Sequence, residues 1–81
     1  MGVYSIKEVS SMVDIPYSTT LTYLGHYSFD KFRKGNKYQV CNEFYNTLIK
    51  YLWNKRANYK YIRNVERLIN EWIHFRKRTK Q

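Results

Sequence analysis

The chain has 81 residues, with 15 Lys and Arg against 6 Asp and Glu, for a net charge of +9. One domain is the expectation at this length, and it buries only roughly 60–65% of its unfolded surface, which leaves cramped space for a catalytic pocket. No apolar run approaches the ~18 residues of a membrane span, and a single cysteine, Cys41, excludes an intramolecular disulfide.

The charge is unevenly placed. Lys7 against Glu8, Asp14 and Asp30 leaves the first thirty residues at −2, whereas fourteen cations against Glu43, Glu66 and Glu71 leave the rest at +11. Clustered cations gain affinity for phosphate polymers by releasing condensed counterions, so an acidic polymer or anionic surface is the expected partner. Nine Tyr, four Phe and two Trp can fill the core of so small a domain, since each ring buries a large area and Tyr and Trp tolerate a half-wet position. The start Met-Gly-Val-Tyr lacks the basic and apolar regions of a secretory signal, and the expected location is the cytoplasm.

Ser5-Ile-Lys-Glu8 has the spacing of a capping box and predicts a helix start. Ile6, Val9, Met12 and Val13 recur at helical spacing for about two turns, until Asp14-Ile-Pro16 interrupts them. A second short helix is expected from Tyr17 to Leu24, closed by Gly25 in the left-handed region. Tyr27 to Phe32 alternates and reads as a strand. Arg33-Lys-Gly-Asn-Lys37 reads as the turn, and Tyr38 to Val40 as the returning strand, with Gly35 and Asn36 able to take positive φ.

Asn42 is expected to cap a third helix in which Phe44, Leu48, Tyr51 and Leu52 share a face and Tyr45, Ile49 and Trp53 lie beside it. Asn54 to Asn58 is polar enough for a turn, with Asn58 capping a last helix through Ile62, Val65, Leu68, Ile69, Trp72 and Ile73; the pattern also allows one continuous helix. The domain is expected over 1–75, with 76–81 a frayed basic tail.

Most cations on the two last helices read as a solvated face opposite an apolar seam. Lys55 and Arg56, in the inter-helix turn, are the secondary candidates for phosphate contacts. His26, Cys41 and His74 lack the spacing of a metal site, no cofactor is implied, and no nucleophile and base are set out for catalysis.

The stretch from Tyr4 to Tyr23, followed by Phe32-Arg-Lys-Gly-Asn-Lys-Tyr-Gln-Val40 and Phe44, resembles the winged helix-turn-helix of the MerR and phage excisionase superfamily. The resemblance rests on the order of elements and on the basic-Gly-basic-Tyr pattern of Arg33, Gly35, Lys37 and Tyr38, and covers about half the chain. It departs from that family at Asp14, where Gly is usual, at Leu21 and Thr22, where cations are common, and in having no dimerising coiled coil or effector domain. It therefore looks more like an accessory protein of a phage, transposon or conjugative plasmid than a ligand-responsive regulator.

The resemblance implies an α+β fold, mostly helical, with a two-stranded β wing and one or two C-terminal helices. It implies double-stranded DNA as partner, homodimers or cooperative arrays on repeated sites, and a recombinase, relaxase or polymerase as protein partner, with no membrane. Ile15, Thr20 and Leu24 would face the core, and Tyr17, Ser18, Leu21 and Thr22 a major groove, although Leu21 and Tyr23 would equally serve as packing residues. The wing, Arg33, Lys34, Gly35, Asn36 and Lys37, would meet the phosphate backbone, with Arg33 entering a narrow minor groove. Tyr38 and Phe32 would pack the wing onto the core. The rival readings are a dimerising interaction module using Ile62, Val65, Ile69 and Trp72, an RNA binder, and a binder of anionic lipid surfaces.

Overall fold

The computed structural model describes residues 2–79, and the side chains of residues 2–71. Elements follow in the order β1 (Gly2–Ser5), α1 (Ile6–Val13), α2 (Tyr17–Leu24), a 3-10 helix (Tyr27–Phe32), β2 (Arg33–Lys34), β3 (Lys37–Val40), α3 (Asn42–Asn54) and α4 (Tyr59–Thr79). The architecture is α+β: helices packed around a small three-stranded antiparallel sheet in the order β1-β3-β2.

The capping box forms as expected. The Ser5 hydroxyl accepts from the Glu8 amide at 3.2 Å and the Glu8 carboxylate accepts from the Ser5 amide at 2.9 Å, satisfying two otherwise free donors. The Ser5 amide, then its hydroxyl, and more weakly Lys37 hold the Glu8 carboxyl below its ordinary value of 4.5. A carboxyl depressed by folding contributes stability above its unfolded value and loses it as pH falls through the folded one. The melting temperature should therefore carry a small acid dependence below pH 4.5 that Glu8→Gln, which keeps the acceptor without the charge, removes. Equal acid profiles for the two proteins would rule Glu8 out as the source.

Helices α1 and α3 both end on a non-glycine residue in the left-handed region, Asp14 at φ 54° and Arg56 at φ 52°. At each, an amide reaches back five residues, Ile15 to the Ser10 carbonyl at 3.1 Å and Ala57 to the Leu52 carbonyl at 3.0 Å, so the closing hydrogen bonds offset the strain of the side chain. The left-handed position after α1 is thus Asp14. Gly25, expected there after α2, instead has right-handed φ −73°.

The largest departure from expectation is Tyr27–Phe32, which is 3-10 helix rather than strand. Phe29 and Phe32 are three apart, so a strand would send them to opposite faces, yet both are buried. Three residues per turn brings them to the same side. They meet Phe44 there, with ring centroids 5.7 and 5.3 Å from it. The hairpin is correspondingly short: β2 has two residues, and Gly35 at φ 66° makes the turn. The second partner of β3 is β1, with Gly2 opposite Val40 and Ser5 opposite Lys37. Tyr38 and Val40 point inward from β3, while Lys37 and Gln39 point out.

Helix α3 starts one residue earlier than a cap at Asn42 requires: Cys41 is the extended residue before it, and its side chain makes no capping hydrogen bond. Its buried face is Phe44, Tyr45, Leu48 and Leu52; Trp53, expected beside that face, is 52% exposed and lies edge-on to Tyr59. The turn at Arg56 separates α3 from α4, and the Asn58 side chain caps α4 by accepting from the Lys60 amide at 2.9 Å. Ile62 and Val65 are buried in the chain's own core, with Leu68 and Ile69 packed at its edge. Those two seam residues are therefore unavailable to a partner. The side chain of Trp72 in the same seam, and those of the tail expected at 76–81, lie outside the described ones. Asn64 donates its side-chain amide to the Asp14 carbonyl at 3.1 Å, tying α4 to the turn between α1 and α2.

Candidate nucleic-acid interface

Helix α2 has no charged residue and divides cleanly. Thr20 and Leu24 are buried, with Ile15 just before them, and the Thr20 hydroxyl donates to the Ile15 carbonyl at 3.3 Å. Tyr17, Ser18, Leu21 and Thr22 are all exposed, Tyr17 and Leu21 by about half. Leu21 is thus not a core residue, whereas Tyr23 is half-buried, edge-on to Tyr51 at 5.4 Å.

The hairpin turn presents Lys34, Gly35, Asn36 and Lys37 to solvent. Arg33 is exposed but engaged: its Nη2 donates to the Tyr38 hydroxyl at 3.0 Å, and its guanidinium sits 5.7 Å from the Tyr38 ring centroid. That hydrogen bond, and the partial negative character of the phenol oxygen, push the guanidinium pKa further up. The Tyr38 hydroxyl in turn donates to the Leu24 carbonyl at 3.3 Å. Leu24 is the last residue of α2, where a carbonyl has no partner within the helix, so one phenol joins the hairpin to the end of α2. Arg33 is accordingly a brace along the hairpin.

Tyr38→Phe tests this brace. It strands a buried carbonyl and releases Arg33 while keeping the ring, and should cost about 1–2 kcal/mol. That corresponds to a melting point lower by roughly 5–15 °C for a domain of this size. An unchanged melting point would mean that the phenol oxygen contributes nothing.

The structure also brings the hairpin turn to the start of α2. An open groove of about 660 Å³ is lined by Asn36 from the turn, Tyr17 from α2, and Ser5, Ile6 and Lys7 from the start of α1. Comparison of the chain with models of protein families, with curated proteins and with solved structures returned no match. The site therefore rests on its own geometry.

Lys7 is the residue that sequence reasoning missed. It is the lone cation of the first thirty residues and vanishes into their net negative charge. What places it here is the pairing of β1 with β3: with Ser5 opposite Lys37, the residues just past Ser5 run alongside the hairpin turn. The groove thus has Lys7 in its lining, while Lys34 and Lys37 flank the turn that supplies Asn36, and Glu8 feels Lys37.

Other predicted residues lie elsewhere. Lys55 and Arg56 follow α3, whose thirteen residues place them about 20 Å from the end of β3. Lys55 lies over the Tyr51 ring, its Nζ 5.3 Å from the centroid. Lys31 is paired with Glu43 at 2.8 Å, an exposed bridge of small energetic weight. His26 caps the 3-10 helix, its Nδ1 accepting from the Ser28 amide at 3.3 Å. Among the described residues no group of three His, Cys, Asp or Glu is arranged to hold a metal, and no helix is long and apolar enough to cross a membrane.

Proposed function

We propose that this chain is a non-catalytic, sequence-specific binder of double-stranded DNA with the arrangement of a winged helix-turn-helix, α2 serving as the recognition helix and the β2–β3 hairpin as the wing. The observation that carries this reading is the single groove bounded by the uncharged N-terminal end of α2 and the basic hairpin turn, with Lys7 between them. A duplex laid across it would meet phosphates at Lys7, Lys34 and Lys37 and base edges at Ser18, Leu21 and Thr22. Hydroxyls bond phosphates or bases with little selectivity, and Leu21 suits thymine methyl groups, so attraction comes from the wing and modest readout from the helix. The role that fits is that of an accessory protein in nucleoprotein assembly for excision, DNA transfer or transcription control of a mobile element, a step that rests on the family resemblance alone.

The test is duplex binding as a function of salt. Log affinity should fall linearly with log salt, by about 0.9 for each phosphate neutralised, giving a slope near −3 if the three lysines carry the contact. A duplex affinity independent of salt would exclude the proposal.

A further inference from the structure

Tyr27 is the most exposed large apolar side chain among the described residues, at 78%. It is nonetheless held in place: its ring lies against that of His26, with centroids 4.3 Å apart and planes tilted by 32°. His26 is wedged against Tyr51 at 4.7 Å and fixed by Ser28, whose amide and hydroxyl lie 3.3 and 2.8 Å from Nδ1. An exposed ring held this way gives up little rotamer freedom when something flat is laid on it. A lone surface tyrosine needs no explanation, but this one borders a cleft.

The cleft, about 230 Å³, opens between the 3-10 helix and α3 and is lined by the three rings together with Thr47, Lys50 and Asn54. It has room for one planar heterocycle and part of its sugar. Its lining supplies aromatic faces for stacking, an amide and a hydroxyl for the polar edge of a base, and a cation for a phosphate. Lys55, over the Tyr51 ring, supplies a second cation nearby. No carboxylate lines the cleft, and Glu43, one turn earlier on α3, is already paired with Lys31. This mixture of π-faces and cations is the pattern of single-strand sites, where stacking is tolerant of sequence because every base has a face to offer. Bases inside a duplex have both faces covered, which excludes them from Tyr27.

We propose that the His26–Tyr27–Tyr51 cleft binds an unpaired nucleobase of a single-stranded nucleic acid, the base lying on Tyr27 and its flanking phosphates meeting Lys50 and Lys55. The site lies at the opposite end of α2 from the groove at Tyr17 and does not depend on duplex binding there.

The test uses the whole chain and a fluorescently labelled dT 12-mer at low salt, read by anisotropy. Tyr27→Ala should weaken binding about tenfold, within the range found for removal of one stacking ring, while Tyr27→Phe should bind like the parent. Lys50→Ala should lower the log–log salt slope by about 0.7. A 12-mer of abasic sites should bind the parent no better than dT binds Tyr27→Ala. The double variant Lys34→Ala/Lys37→Ala should retain dT binding, so this proposal and the duplex proposal fail separately. Equal binding of abasic and dT strands, or an unaltered Tyr27→Ala, would overturn the assignment. So would absence of dT binding, which would leave the cleft to a protein surface.

Discussion

Replacing Lys34 and Lys37 together by Ala should lower the proposed affinity for duplex DNA by roughly 50-fold at 0.1 M salt and reduce the log–log salt slope by about two, if each neutralises one phosphate. Both side chains are exposed at the hairpin turn, so their removal leaves the fold intact. Arg33→Ala behaves differently. Because its guanidinium is bound to the Tyr38 hydroxyl, its loss shows partly as a lower melting point and only partly as weaker binding. Replacing Ser18, Leu21 and Thr22 together should cost less duplex affinity than the full set Arg33, Lys34 and Lys37 but should relax the preference among sequences. The reverse ranking of the two sets would refute a wing-led mechanism.

The second large effect is on stability. Phe44 is fully buried and meets the rings of Phe29, Phe32 and Tyr45, at centroid distances of 5.7, 5.3 and 6.0 Å. Phe44→Ala opens a cavity among three other rings and costs about 3–5 kcal/mol. A domain of this length has roughly 4–12 kcal/mol in total, so the variant loses a quarter or more of its stability. Phe44→Leu keeps most of the volume and costs under about 1.5 kcal/mol. Urea titrations of the two variants check the difference; similar midpoints would show that the ring cluster does not anchor the core.

What could be read from the residues was local. Ser5 and Glu8 announce the first helix because their hydrogen bonds close within four residues. Ile15, Thr20 and Leu24 are buried, as the resemblance implied, within one short stretch of chain around α2. The misreadings share a cause, since each depended on a partner distant in sequence. Tyr27–Phe32 alternates well enough for a strand, and only the common demand of the Phe44 pocket on Phe29 and Phe32 selects a 3-10 helix. Lys7 joins the hairpin through the pairing of β1 with β3, which no short window contains. Periodicity alone puts Trp53 beside the buried face, but the chain turns at Arg56 and leaves it exposed against Tyr59 of α4.

The Arg33–Tyr38–Leu24 chain of hydrogen bonds also bears on association entropy. A hairpin joined to the rest of a domain only through its two strands would be free to rock, and any ligand would have to arrest that motion. Here the phenol fixes the base of the hairpin to the last carbonyl of α2, so the spacing between the hairpin turn and the helix is set before a ligand arrives. A preorganised pair of contact surfaces loses less freedom on binding. It is also less able to adjust to a ligand of the wrong width, so a rigid spacing between hairpin turn and helix favours one ligand geometry and penalises the others.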